Sequence, residues 1–168
     1  MSFKNYQIVD SPRPLSILKH WDDESYLELN PTYQRGDVWS EERQRNLIKS
    51  FLMRIPIPSI IVNDRFKANW SSDGWGDDSI CYAVIDGKQR ITSFLKFLRG
   101  DLPIPKSWVG IEGSGDIVFS DLPVATKRSI HNKTIGVCEA SLPDIESEEE
   151  VFNLVNFGGV PQGESDFK

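Results

Sequence analysis

Five consecutive residues, Asp86-Gly87-Lys88-Gln89-Arg90, carry the densest chemistry in this chain. They stand between a β-branched run, Tyr82-Ala83-Val84-Ile85, and a segment in which Ile91, Phe94, Leu95 and Leu98 recur at three- and four-residue spacing. The hydrophobic period thus switches from strand to helix across a polar pentapeptide. A tight glycine turn at a helix N-terminus presents unpaired backbone N–H groups and the positive end of the helix dipole, and Lys88 and Arg90 add two cationic side chains. The chemistry that suits such a place is the holding of an anion, for which a nucleotide phosphate is the natural candidate.

The elements that must position this turn follow from patterning. Pro14 to Trp21 reads as a short helix opened by proline, and Tyr26 to Leu29 as a strand ended by Asn30-Pro31. Ser40 is placed as the N-cap of a helix with Glu41 and Glu42 in its first turn, a stripe of Leu47, Ile48, Phe51 and Leu52, and an end near Arg54 before Ile55-Pro56-Ile57-Pro58. Ser59 to Asn63 is a strand, and residues 64–79 form a long polar connection whose Trp70 and Trp75 either stack on a base or pin the loop to the core. A helix from Ile91 to Arg99 ends at Gly100. Beyond it the pattern predicts a strand at Ile117 to Phe119, a helix from Leu122 to Ile130 capped by Ser120 or Asp121, and a strand from Thr134 to Ala140. A last helix opens on the capping-box spacing of Ser147 and Glu150 and closes at Gly158-Gly159. Strands alternating with helices predict one α/β (α+β) unit over residues 1–168, a small mixed sheet with surrounding helices.

Composition narrows the partners. The net charge of -6 disfavours unassisted DNA binding, which needs a basic face to displace counterions. Arg43, Arg45, Lys49 and Arg54 form either a local basic patch or, as such charges more often do, the solvated face of an amphipathic helix. No apolar run approaches the roughly 20 residues of a membrane span, and Met1 to Gln7 lacks a signal-peptide core, so a cytoplasmic location is expected. Cys81 and Cys138 lie far apart with no neighbouring His, and read as two ordinary thiols rather than a metal site.

In their order, these blocks resemble the ParB/sulfiredoxin-like nucleotide-binding domain at the N-terminus of GmrSD-type modification-dependent restriction enzymes and of SspE. Pro31-Thr32-Tyr33-Gln34-Arg35 with Trp39 is similar to the family's P-x-Y-Q-R opening, Ile48 to Pro58 to its helix and I-P-x-P exit, and Asp86 to Arg90 to its D-G-Q-Q-R signature. These motifs span residues 31–99. A fourth block, Asn153 to Pro161, extends the likeness toward the C-terminus within residues 147–161. Lys88 departs from the pattern, standing where the family usually has Gln.

The resemblance implies a nucleoside-triphosphate site. In it Gly87 lets backbone approach phosphate, Arg90 and Arg35 neutralise it, Asp86 holds Mg²⁺ or positions water, Gln89 orients that water, and Asn156 contacts the nucleotide or braces the site, while the added charge of Lys88 either strengthens phosphate binding or replaces a hydrogen bond needed for turnover. Each has a plainer alternative: Asp86 as a helix cap, Arg35 paired with a core-edge carboxylate, Asn156 as a helix C-terminal residue beside glycines, and Trp39 as a core staple. Lys88 either reaches phosphate or pairs with Asp86. The expected function is an NTP-binding, NTP-hydrolysing regulatory component of a defence or counter-defence system, acting on a nuclease or other effector subunit. A non-catalytic interaction module is the alternative, and a ParB-like DNA-acting protein a second. Only His20 and His131 are available for an HNH-type centre, and residues 1–168 are expected to include no separate nuclease domain.

Overall fold

The computed structural model describes residues 5–34, 38–67, 70 and 82–158. Its centre is a mixed five-stranded sheet in the order β1-β9-β4-β5-β3, with β1 Ile8–Asp10, β3 Leu27–Glu28, β4 Ile60–Asp64, β5 Tyr82–Asp86 and β9 Val137–Ala140. β4 pairs antiparallel with β5 and parallel with β9. Alternation along the strands divides the apolar side chains between two faces. Ile60, Val62, Val84 and Val137 join Phe94, Phe97, Ile48 and Leu18 in the larger core, under α1 Ser16–Asp23, α2 Glu41–Leu52 and α3 Lys88–Arg99. Ile85 and Ala140 turn the other way, to Val151 and Phe152 of α5 Ile145–Phe157. The fold is therefore mixed α/β, with five α-helices among the described residues.

Several expected boundaries move, each for a local reason. Pro14 does not open α1; it pairs with Thr134 as part of β2 Arg13–Pro14, and the helix begins at Ser16. The single strand expected from Thr134 to Ala140 is broken at Gly136, where a Cβ would lie 2.4 Å from Ser59 Oγ. Its halves serve different sheets: β8 Thr134–Ile135 pairs with β2, and β9 enters the central sheet. The strand near Ile117 is only β7 Asp116–Ile117, paired with β6 Ile104–Pro105. α4 runs Val124–His131, not from Leu122, because Leu122 precedes Pro123 and is held extended. Ser40 does cap α2, its Oγ accepting the Arg43 N–H at 3.3 Å. α5 starts earlier than the Ser147 box: Asp144 accepts the Ser147 N–H at 2.8 Å, which draws Ser147 and Glu148 inside the helix and the protein. No helix among the described residues is long and apolar enough to cross a membrane.

Candidate functional site

The pentapeptide is more compact than its sequence suggests. Asp86 is the last residue of β5, Gly87 alone makes the turn at φ +100°, and Lys88, Gln89 and Arg90 already form the first turn of α3. Only glycine tolerates this junction, for a Cβ would meet Ile60 Cγ1 at 3.0 Å and Arg90 Nη2 at 3.2 Å. The β4–β5 register shifts between Ile61 and Val62, so β5 carries a bulge just before Asp86, the kind of irregularity that re-aims a strand end. No side chain among the described residues caps α3. Its N-terminal N–H groups and dipole thus remain available to a ligand.

Asp86, Gly87, Lys88, Gln89 and Arg90 line one cleft of about 280 Å³ with Gln34 and Trp39 on one side and Phe152, Asn156 and Phe157 of α5 on the other. Residues 70 positions apart are therefore brought together. Arg35 lies outside the described residues, as do Trp75 and Cys81. A groove of about 620 Å³ beside Arg54 and Lys133 is larger but contains none of the motif residues. Volume alone is a poor guide here, because the smaller cleft holds the helix N-terminus and its charges.

Within the cleft, hydrogen bonds assign jobs. Arg90 Nη2 donates to Asp86 Oδ2 at 2.7 Å and to the Ser59 carbonyl at 3.2 Å, while its buried Nε has no acceptor among the described residues. Asp86 is thus held by Arg90 and does not cap the helix. Lys88 does not pair with Asp86; its ammonium donates to Asn30 Oδ1. Gln89 Oε1 accepts the Trp39 N–H at 3.2 Å, tying the loop before α2 to α3 and leaving the amide Nε2 as its donor toward a ligand. Asn156 Nδ2 bonds back to the Phe152 carbonyl at 2.9 Å. Trp39 is half-buried against the core, with the Arg43 guanidinium 4.2 Å above its ring, so it serves both core and cleft wall.

The donor set bears on metal in one way. No group of three or more His, Cys, Asp or Glu residues among those described could hold an ion. A Mg²⁺ ion would therefore fit only as it often does at phosphate sites, through one carboxylate plus phosphate oxygens and water. Asp86, held by Arg90, is the one carboxylate among the described residues that line the cleft.

Sequence reasoning passed over Gln34, whose amide donates to the Val84 and Ile85 carbonyls beside the site. Its place next to Arg35 in the P-T-Y-Q-R block was the available signal. It also missed Glu148. This fully buried carboxylate accepts from Arg65, Asn63 and the Tyr33 hydroxyl. Burial, then the Glu148 charge and its hydrogen bond, push the Tyr33 pKa far above its usual value. Basic residues of α2 are engaged within the fold: Arg45 reaches Asp116 at 2.9 Å and Lys49 lies 5.5 Å over Trp108. Trp70 sits under the Arg65 guanidinium at 4.3 Å.

Fold and cleft together define a mixed α/β protein whose strand–helix junction opens on a cationic, uncapped helix start. The chain belongs to the family of GmrSD restriction endonuclease N-terminal domains, whose model matches residues 17–168. No curated protein matches it. Among solved structures it is similar to the C-terminally truncated chromosome-partitioning protein ParB from Caulobacter crescentus complexed with CTP-γ-S, at 14% identity and a TM-score of 0.44. That likeness covers 91% of this chain and 55% of the ParB chain, so the chain spans little more than half of that protein's length.

Proposed function

We propose that the cleft binds a nucleoside triphosphate by its phosphates and hydrolyses it slowly with Mg²⁺, as the regulatory unit of a restriction-related system in the cytoplasm. Its partner is a nuclease or other effector subunit, and residues 1–168 act as a single nucleotide-binding domain. The observation that carries this reading is Arg90, a largely buried guanidinium at the start of α3 whose Nε has no acceptor among the described residues. A phosphate placed there would accept from Arg90 and from the α3 backbone together. A cleft of about 280 Å³ lies just below the roughly 300–1,000 Å³ of small-molecule sites, which suits the triphosphate with the base and ribose reaching outward. Arg90, Lys88, Gly87 and Gln89 bind phosphate, Arg35 joins them from its loop, Asn156 supports the far wall, and Asp86 takes Mg²⁺ when bound. Mg²⁺ supplies charge neutralisation between phosphates. Slow turnover follows from Asp86 being held by Arg90 and from the Gln89 carbonyl being committed to Trp39.

Calorimetry with the four NTPs and their nucleosides, with and without Mg²⁺, tests this. Triphosphate must bind more tightly than nucleoside. Equal affinity, or no heat from any of them, transfers the assignment to a non-catalytic interaction module. That second reading is favoured by one observation, the exposed Leu154, Val155 and Phe157 late in α5.

A further inference from the structure

Four side chains from three distant parts of the chain meet where water does not reach. Glu148, near the start of α5, accepts from Arg65 Nε at 2.9 Å and Nη2 at 2.7 Å, from Asn63 Nδ2 at 2.8 Å and from Tyr33 OH at 3.1 Å. Asn63 also clamps Leu142 in both directions, donating to its carbonyl at 3.0 Å and accepting its N–H at 2.7 Å. One carboxylate thus joins the Tyr33 loop, the end of β4 and the approach to α5. A buried ion pair is a poor device for stability alone, since apolar side chains of similar volume often do as well or better. Its strength is in fixing one arrangement, because every misplaced partner leaves a buried charge or donor unanswered.

What this arrangement fixes is the cleft. Glu148, Phe152 and Asn156 recur at four-residue spacing on one face of α5, and the latter two line the cleft. Tyr33 is adjacent to Gln34, which lines the cleft from the opposite side and bonds the β5 backbone. The Tyr33 and Phe152 rings meet at 5.4 Å, so the two walls also touch below the site.

We propose that Glu148 is the positioning residue of the cleft, setting Gln34 on one wall and Phe152 and Asn156 on the other at a fixed distance from Gly87 and Arg90. This rests on the nucleotide reading above. Glu148 does not touch the ligand; it acts through the two walls it ties together.

Two conservative variants and a double-mutant cycle test it. Inorganic tripolyphosphate and the four ribonucleoside triphosphates, each with Mg²⁺, are titrated into wild type, Tyr33→Phe, Glu148→Gln, Asn156→Ala and Tyr33→Phe/Asn156→Ala, all well below each variant's thermal midpoint. Tyr33→Phe keeps the ring and removes one hydroxyl, so it remains informative where Glu148→Gln fails to fold. The expected result is triphosphate affinity about threefold to tenfold weaker in Tyr33→Phe, with that loss largely absent when Asn156 is already Ala. A purely structural role would give a lowered midpoint with unchanged affinity, or losses that add across the cycle, and either result overturns the proposal. If wild type binds neither tripolyphosphate nor any NTP, the nucleotide reading fails and takes this proposal with it. If wild type binds and the variants bind equally well, only the positioning role falls.

Discussion

Gly87→Ala asks whether the single-residue turn is what makes the site. Two costs combine. An alanine forced to a φ near +100° takes on a left-handed penalty of about 1–2 kcal/mol. Its Cβ would also press on Ile60 Cγ1 at 3.0 Å and on the Ile60 Cα at 3.3 Å, inside a packed core where overpacking costs about 1–3 kcal/mol. The sum, about 2–5 kcal/mol, should lower the thermal midpoint by roughly 4–20 °C in a chain of this size. Gly100→Ala is the matched control. Gly100 has φ +90°, but the nearest contact of its Cβ would be Val118 Cβ at 3.7 Å, so only the backbone penalty applies and the fall should be roughly 2–8 °C. The functional arm separates them further. The new Cβ would lie 3.2 Å from Arg90 Nη2 and displace the guanidinium, so triphosphate affinity should fall about tenfold or more in Gly87→Ala and stay unchanged in Gly100→Ala. Differential scanning fluorimetry and calorimetry on the same preparations read both. The reasoning is refuted if the two variants are equally destabilised, or if folded Gly87→Ala binds triphosphate as well as wild type.

Arg90→Ala should cost about 1.5–3 kcal/mol of triphosphate binding, or roughly 10- to 150-fold by calorimetry, and unchanged affinity in the folded variant would remove Arg90 from the site. Lys88→Gln should weaken triphosphate binding and reduce its salt dependence without raising turnover, because the Lys88 ammonium sits on Asn30 and leaves Asp86 alone; a rise in phosphate release would contradict this placement. Burial raises the pKa values of Tyr33 and Tyr82. Below about pH 10 both states keep these protons, whereas above it the unfolded chain releases protons the folded chain retains, so stability should fall as pH rises. Urea midpoints between roughly pH 9 and 11 should show a shallower fall in Tyr33→Phe, and an identical fall would exclude Tyr33 as its source. With Mg²⁺ alone the purified chain should leave supercoiled plasmid uncut; nicking that copurifies with the protein through successive columns would reverse that expectation.

The parts of the fold that were legible in the sequence are those where a short-range rule acts without competition. Ser40 with Glu41 and Glu42 marked α2, and the change of period at Asp86 marked the β5–α3 junction. Sequence reasoning went astray where two local rules competed and a tertiary contact decided. Thr134 to Ala140 has the pattern of one strand, yet the close approach of Ser59 at Gly136 divides it between two sheets. Ser147 offers a valid capping box, yet Asp144 takes the cap because Glu148 is needed inside. The candidate site was half visible: Asp86 to Arg90 are contiguous, and Asn156 came only with a family pattern. The partners of Glu148 lie 83, 85 and 115 positions away, beyond the reach of any periodicity.

The pairing of Asp86 with Arg90 gives the cleft a logic that neither residue has alone. Arg90 Nη2 serves two acceptors while Nε, buried nearby, serves none among the described residues. A buried donor left without an acceptor typically costs about 1–3 kcal/mol, so a ligand oxygen that reached Nε would be well received. A phosphate arriving at the start of α3 answers Nε and competes with Asp86 for the rest of the guanidinium. Were Arg90 to turn to that phosphate, Asp86 would lose its counter-charge where a cation beside the phosphate could replace it. On the nucleotide reading proposed above, anion and Mg²⁺ would therefore bind cooperatively, each making room for the other. A resting site closed in this way should discriminate against free Mg²⁺ and against ligands without phosphate, using only two side chains four residues apart across one glycine.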